Sequence, residues 1–428
     1  MTMAVNPEGG RRAVVIGGGI VGACVAHALR REGFDVVLVE KDEPGRAASL
    51  GNSGSIGLSS VTPLGVPGMI RKAPRMFLDP MHPLAVRLAH LPKAIPWFRK
   101  FAAATKEERV RRIAGARAAL LREAGTAYDR LLDRIGQPGL IYNKGLMFVY
   151  ETPDGPRRNA FDVGLRRANG IRAEELDGDG ARAREPALSD RIRSAVFYPD
   201  VRTTVHPGRL TEAILGDAEA MGVRVLRDEV RGFSVAGGRV TAVETGGGRL
   251  PADLVVIAAG AWSRTLVRHL GHDVQLAAER GYNITIRKPG VDLGMPVVAG
   301  DRFVAIVPME GAIRMTTGSE FAAIDARPDH AKALRIFEAA APTLRDFRVS
   351  VDDRWMGSRP STPDSLPVIG PVPGVANALC AFGHGHLGIT FAAVTGEIVA
   401  DLASGRRPAL DIAAYRADRR FDGSHLGA

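Results

Sequence analysis

Three glycines at fixed spacing, Gly17, Gly19 and Gly22, follow the apolar run from Ala13 to Ile16 and overlap a second apolar set, Ile20, Val21, Cys24, Val25, Ala28 and Leu29. The first run suits a strand buried on both faces, and the second a helix packing back onto it. Glycines at such a junction give a tight turn, close approach of a pyrophosphate, and close packing of helix on sheet. The anion would meet free N–H groups at the helix start. The next strand, Asp35 to Glu40, ends in a carboxylate where a dinucleotide fold needs an acceptor for a ribose hydroxyl. Together these residues predict a dinucleotide site, and leave NAD and FAD both open.

A second glycine-rich turn stands near the other end. In "GHGHLGITFAAVTGEIVADL", Gly385 and Gly388 precede a helix whose apolar residues, Ile389, Phe391, Ala392, Val394, Ile398, Val399 and Leu402, fit burial. Gly388, Ile389 and Thr390 would present N–H groups at its start. His384 and His386 flank Gly385 and are both catalytic candidates; Cys380 is nearby, but no tight four-ligand spacing accompanies them and no metal site is predicted. Neither a Ser-His-Asp set nor a paired-carboxylate signature occurs.

The elements that must position these residues are spread over 428 residues, 45% of them hydrophobic, enough for a large core and two domains. The net charge of +10 favours anionic partners, including a lipid surface, without specifying one. Arginines scattered along the chain and no recognised module argue against nucleic acid. The two cysteines, Cys24 and Cys380, form no disulfide framework, which suits a reducing compartment. The early first strand leaves no room for a cleaved signal peptide, and no run reaches the ~18 uncharged apolar residues of a membrane helix. The expected location is the cytoplasm, with peripheral contact at the inner face of the cytoplasmic membrane as an alternative.

After Glu40, "KDEPGRAASLGNSGSIGLSS" is too polar for a core and long for a plain connection, so it either covers a ligand or is mobile. Prolines from Pro63 to Pro96 argue against one continuous helix before Trp97, and a helical pattern then runs to Ile135 with a buried stripe of Leu120, Leu121, Ala124, Tyr128, Leu131 and Leu132. Basic residues beside Trp97, Phe98 and Phe101 suit a solvated face or a membrane-surface helix. "LIYNKGLMFVYE" reads as a strand pair or bent strand. From Val223, "VRVL", "GFSV" and "VTAVET" return to short strands of dinucleotide-fold style, and Leu254 to Ala258 is a further buried strand ending near Gly260. "GYNITIRK", "FVAIVP" and "IRMTTGSEF" resemble an antiparallel meander.

The opening "AVVIGGGIVGACVAHALRREGFDVVLVEK" resembles the FAD-binding start of the D-amino-acid oxidase and dehydrogenase superfamily. "WMGSRPSTPDSLPVIGPVP" and "AFGHGHLGITFAAVTGEIVADLASG" resemble its closing motifs, especially in the D-amino acid dehydrogenase and D-hydroxyproline dehydrogenase branch, as do "GNSGSIG" and "RGYNITI". The resemblance implies an α/β fold with an α+β insert. A Rossmann-like FAD-binding domain (residues 1–62, 201–265 and 355–428) would interleave with an antiparallel-sheet substrate domain (residues 63–200 and 266–354).

On this resemblance Gly17, Gly19 and Gly22 hold the pyrophosphate of FAD and Glu40 the adenosine ribose. Lys41 and Ser49 line the cofactor, Asn52 and Ser53 reach toward the flavin, Val230 presents its backbone to adenine, and Ala259 and Gly260 pass close to the nucleotide. Gly385, Gly388, Ile389 and Thr390 serve the flavin's pyrimidine edge, where negative charge develops on reduction and a helix N-terminus stabilises it. A Val in a strand needs no ligand to explain it. Arg359 is expected to grip the substrate carboxylate, a planar fork suiting bidentate binding, with an ion pair to Asp364 as the alternative. Tyr282 adds a hydroxyl to that carboxylate, closes the pocket, or is simply a core aromatic. Relatives often have Arg at the place of His386; the histidine suits proline-like D-amino acids and could accept a proton.

The implied reaction is hydride transfer from the Cα of a D-amino acid to flavin, with orientation as the main source of rate. Electrons would pass to a quinone or an electron-transfer protein. The alternatives are an oxygen-using glycine or sarcosine-type amine oxidase, and a FAD-containing subunit of a larger dehydrogenase complex.

Overall fold

The computed structural model describes residues 10–79 and 81–427. The apolar run after Arg12 becomes the strand Arg12–Ile16, central in a six-stranded sheet. Its neighbours in order are Arg224–Arg227, Asp35–Glu40, Arg12–Ile16, Leu254–Ile257, Ala378–Phe382 and Val368–Pro371. The first five are parallel and the last closes an antiparallel hairpin. Chain order reverses at Arg12–Ile16, so its carboxyl end and that of Leu254–Ile257 form the crevice where open α/β sheets bind ligands.

Both faces of this sheet are covered, as its unbroken Val, Ile and Leu content requires. One face carries the first helix, Ile20–Arg31, and the closing helix, Gly388–Ala403, which pack so tightly that a Cβ on Gly396 would lie 2.7 Å from the Cys24 carbonyl oxygen. The closing helix belongs to Gly385–Ala403, a segment long and apolar enough to cross a membrane by composition; here it is a buried core element. The other face carries a separate three-stranded meander, Val230–Ala236, Arg239–Thr245 and Gly248–Pro251. Thus only "VRVL" of the three short strands joins the dinucleotide sheet.

The second sheet has nine strands, and its longest are the antiparallel neighbours Asp353–Ser361, Ala277–Arg287 and Ala312–Phe321. Its own core lies against the helix His330–Ala340. Two segments depart from the predicted division. The strand Asp353–Ser361 lies in the nine-stranded sheet, beyond the expected division at residue 355. The long helix Glu107–Arg134 carries the predicted stripe, but buries it against the first sheet's helices, and the Tyr128 hydroxyl donates to the Ile389 carbonyl at 2.5 Å.

The helical stretch after the prolines begins earlier than the sequence suggests and is broken in two. Leu91–Ala104 starts with Pro92 in its first turn, where a missing N–H costs nothing, and ends at Thr105. This helix buries Trp97 and Phe101 against Phe321, and the Trp97 indole donates to the Ser361 carbonyl at 3.0 Å. Those two aromatics therefore serve an internal core rather than a lipid face. "LIYNKGLMFVYE" splits into Ile141–Asn143 and Leu146–Tyr150, which join different sheets.

Candidate active site

The carboxyl ends of the first sheet and one face of the second enclose a cavity of about 1130 Å³. That is above the ~300–1,000 Å³ of ordinary small-molecule clefts and suits a large cofactor together with a substrate. Of the residues assigned from sequence, all line this cavity except Gly22 and Thr390, which sit behind it.

At the first end the backbone dominates. Gly17 (φ +109°) turns the chain so tightly that a Cβ there would meet the Ala258 carbonyl oxygen at 2.5 Å. A Cβ on Gly22 would stand 1.8 Å from the Gly17 oxygen, so this glycine lets the helix close onto its strand. Ser49 accepts a hydrogen bond from the Ile20 N–H at 2.9 Å and caps the helix from a distant loop. Glu40 accepts from the Gly18 N–H at 2.6 Å, holding its carboxylate at the cavity edge. The Lys41 ammonium lies 3.9 Å from the centroid of the Trp262 ring, and both residues line the cavity with Val230, Ala259 and Gly260.

The Gly- and Ser-rich loop is pinned rather than mobile. Arg314 donates to the carbonyls of Leu50 and Asn52 at 2.7 and 2.8 Å, and Asn283 to that of Gly51 at 2.8 Å. The Gly57 N–H donates to Thr390 Oγ1 at 3.0 Å, which is how Thr390 acts from behind the wall. Asn52 accepts from the Gly54 N–H and lines the cavity with Ser53.

At the second end, side chains dominate. Arg359 Nη1 donates to the Gly318 carbonyl at 2.7 Å and lies 3.6 Å from Glu279 Oε1. The alternative pairing with Asp364 is not formed, because Asp364 is buried with Arg419 at 2.8 Å. His386 Nε2 meets Glu279 Oε1 at 2.7 Å. Glu279 is fully buried and also accepts from Ser319 and Ser361, each at 2.6 Å. Burial would raise its pKa, but His386 first, then Arg359 and Ser319, outweigh that and hold the carboxyl well below the usual range.

Two expectations need correction. The His384 ring is buried with Nε2 on Thr395 Oγ1 at 3.0 Å, and burial pushes its pKa down to about 3, so it is a neutral brace under the turn rather than a catalytic group. It does not converge with His386, which points to Glu279. The Tyr282 hydroxyl is engaged by Glu320 and by the Asp329 N–H, leaving its ring as cavity wall and no hydroxyl for a ligand carboxylate.

Glu279, Gly318, Trp355 and the aromatic cluster of Trp97, Phe98 and Phe321 are not assigned to the site from sequence, although all but Glu279 line the cavity. One signal was available: Glu279 and Arg280 are adjacent charges in the interior of a strand, where burial demands partners.

The residues fit FAD. A Cβ built on Gly260 meets nothing within 4 Å, and one on Gly388 meets only the His384 Cβ at 4.0 Å, so at these turns space is kept for something other than protein. The starts of two helices, Ile20–Arg31 and Gly388–Ala403, line the same cavity, through Gly19 and Ile20 in one and Gly388 and Ile389 in the other.

Comparison with known proteins bears on the same span. The profile of the family described as FAD dependent oxidoreductase matches residues 12–402. A D-amino-acid oxidase of Bradyrhizobium diazoefficiens is 35% identical over 424 residues, covering 96% of this chain and 99% of that protein. A D-amino acid dehydrogenase of Cereibacter sphaeroides (strain ATCC 17029) is 32% identical, covering 94% of each chain. Among solved structures, glycine oxidase from Geobacillus kaustophilus superposes with a TM-score of 0.74 at 24% identity, covering 96% of this chain and 99% of its own, a likeness of fold.

Proposed function

The chain belongs to the FAD-dependent oxidoreductase family, and on that premise we propose that it oxidatively deaminates D-amino acids and passes the electrons to a separate carrier. The observation that carries this reading is a single cavity that joins two helix N-termini to Arg359 and His386, which both flank the buried carboxylate of Glu279. FAD, when bound, supplies the acceptor for hydride from the substrate's Cα.

The chain's own residues do the rest. Arg359 presents guanidinium N–H groups to the substrate carboxylate, and a planar fork fixes which face of Cα turns inward. Trp97, Phe98, Phe101 and Phe321 wall the same space and exclude water from it. The Ile389 N–H, at the start of the closing helix, favours negative charge at the far wall. The D configuration follows the names of the relatives.

For the carrier we propose a quinone or an electron-transfer protein. The helices Met69–Leu78 and Leu91–Ala104 expose Ile70, Leu91 and Ile95 among Arg71, Lys72, Arg75 and Lys93, and Ile70 and Lys72 line the cavity mouth. Exposed apolar residues with cations close in sequence suit an anionic lipid surface or an acidic protein.

An anaerobic panel of D- and L-amino acids, with cis-4-hydroxy-D-proline included, tests the substrate class through bleaching of the yellow chromophore. D-amino acids should bleach it. Bleaching by L-amino acids or N-methyl amines alone would overturn the reading, and hydrogen peroxide formed in step with substrate in air would replace the carrier with oxygen.

A further inference from the structure

Gly281 is the one glycine in the eleven-residue strand Ala277–Arg287. Its backbone does not enter the left-handed region, so conformational freedom does not account for it. Glycine inside a strand weakens the strand, and where it occurs in extended backbone it marks a place that another group approaches closely. That group is the Arg359 guanidinium. A Cβ on Gly281 would lie 2.1 Å from Nη2, 2.2 Å from Cζ and 2.6 Å from Nη1.

Register explains the approach. Arg359 stands opposite Glu279 on the neighbouring strand, and Gly281 stands opposite Gly357, so the Arg359 side chain runs diagonally across the strand and lies over Gly281. The Gly318 carbonyl takes one nitrogen, Nη1, and Glu279 flanks that same nitrogen. Among the described residues Nε and Nη2 bond no protein acceptor, and Arg359, Gly281 and Gly318 all line the cavity.

We propose that Gly281 is a positioning residue for Arg359: the missing side chain is the seat that lets the guanidinium lie flat with its free nitrogens aimed at a ligand carboxylate. Any side chain at 281 lifts the fork off the strand and spoils its aim. This rests on Arg359 being the carboxylate-binding group, as proposed above.

The test uses the FAD-loaded protein and two ligands of one shape, benzoate and its neutral amide benzamide, each titrated by the change in flavin absorbance. The aromatic walls suit both, and only benzoate needs Arg359. Wild type should prefer benzoate, and Arg359→Lys should lose that preference; if Arg359→Lys keeps it, the carboxylate reading itself fails. With Arg359→Lys behaving as expected, Gly281→Ala should weaken benzoate at least tenfold and benzamide less than twofold. An unchanged benzoate preference in Gly281→Ala, or equal weakening of both ligands, would overturn the proposal while sparing the reading. Should Gly281→Ala fail to fold or to hold FAD, the double variant Gly281→Ala/Arg359→Ala removes the clashing guanidinium and should restore FAD content. Failure of that rescue would also overturn it.

Discussion

The two ends of the cavity are built from different materials. Around Gly17, Gly19 and Gly22 the ligand-facing groups are backbone, and side chains such as Ser49 and Glu40 hold that backbone in place. Around Arg359 and His386 they are side chains on a strand and a turn, gathered by one buried carboxylate, Glu279. A backbone cradle suits a group that is the same in every turnover. A set of side chains can be exchanged without rebuilding the sheet, so substrate choice is expected to vary there while the dinucleotide end stays fixed.

This contrast can be broken first at the backbone end. Gly22→Ala forces a Cβ to within 1.8 Å of the Gly17 oxygen, and backbone cannot step aside as a flexible side chain would. Overpacking of this kind costs about 1–3 kcal/mol or more. The expected outcome is protein recovered without flavin, read from the ratio of visible to ultraviolet absorbance; full FAD content would show that the close approach at Gly22 is not needed.

Glu279→Gln comes next. Removing one partner from a buried charge cluster costs about 3 kcal/mol. Because the folded-state pKa lies below the unfolded value near ~4.3, this stabilisation is present at neutral pH and is lost as pH falls through the folded pKa. Denaturant midpoints should place wild type well above the variant at pH 7, with the gap narrowing below about pH 4. A gap independent of pH would mean that the carboxylate charge contributes nothing.

Arg359→Lys sharpens the other side. Loss of a bidentate charged contact is worth about 1.5–3 kcal/mol, roughly 10- to 100-fold in KM for a D-amino acid, with FAD content unchanged. Equal loss of both would remove the division of labour between the ends. The smallest effect belongs to Lys41→Met, which gives up a cation–π contact of about 0.5–1 kcal/mol with Trp262 and should weaken FAD binding about two- to fivefold in a titration of the apoprotein.

The same contrast explains what could be read from the chain. The dinucleotide end is local: strand, Gly17, Gly19, Gly22, helix and Glu40 lie within one stretch, so their spacing alone carried the geometry. The closing helix was legible for the same reason. Glu279 was not, because its partners Arg359, Ser361 and His386 come from remote segments and only strand register brings them together. The part played by His384 was not legible, because position beside a glycine turn does not say which way a ring points; the fold turns it onto Thr395. The Tyr282 partner was not legible either, because Glu320 stands opposite Arg280 on the neighbouring strand and only that pairing brings it to the Tyr282 hydroxyl.

The account's central claim is that one FAD joins these two unlike ends. A crystal structure of the holoenzyme, frozen anaerobically with a D-amino acid, tests it most directly. It should place the adenosine beside Glu40 and Val230, the flavin against Gly388 and Ile389, and the substrate carboxylate on Arg359. A flavin lying away from the closing helix, or a carboxylate held without Arg359, would contradict it.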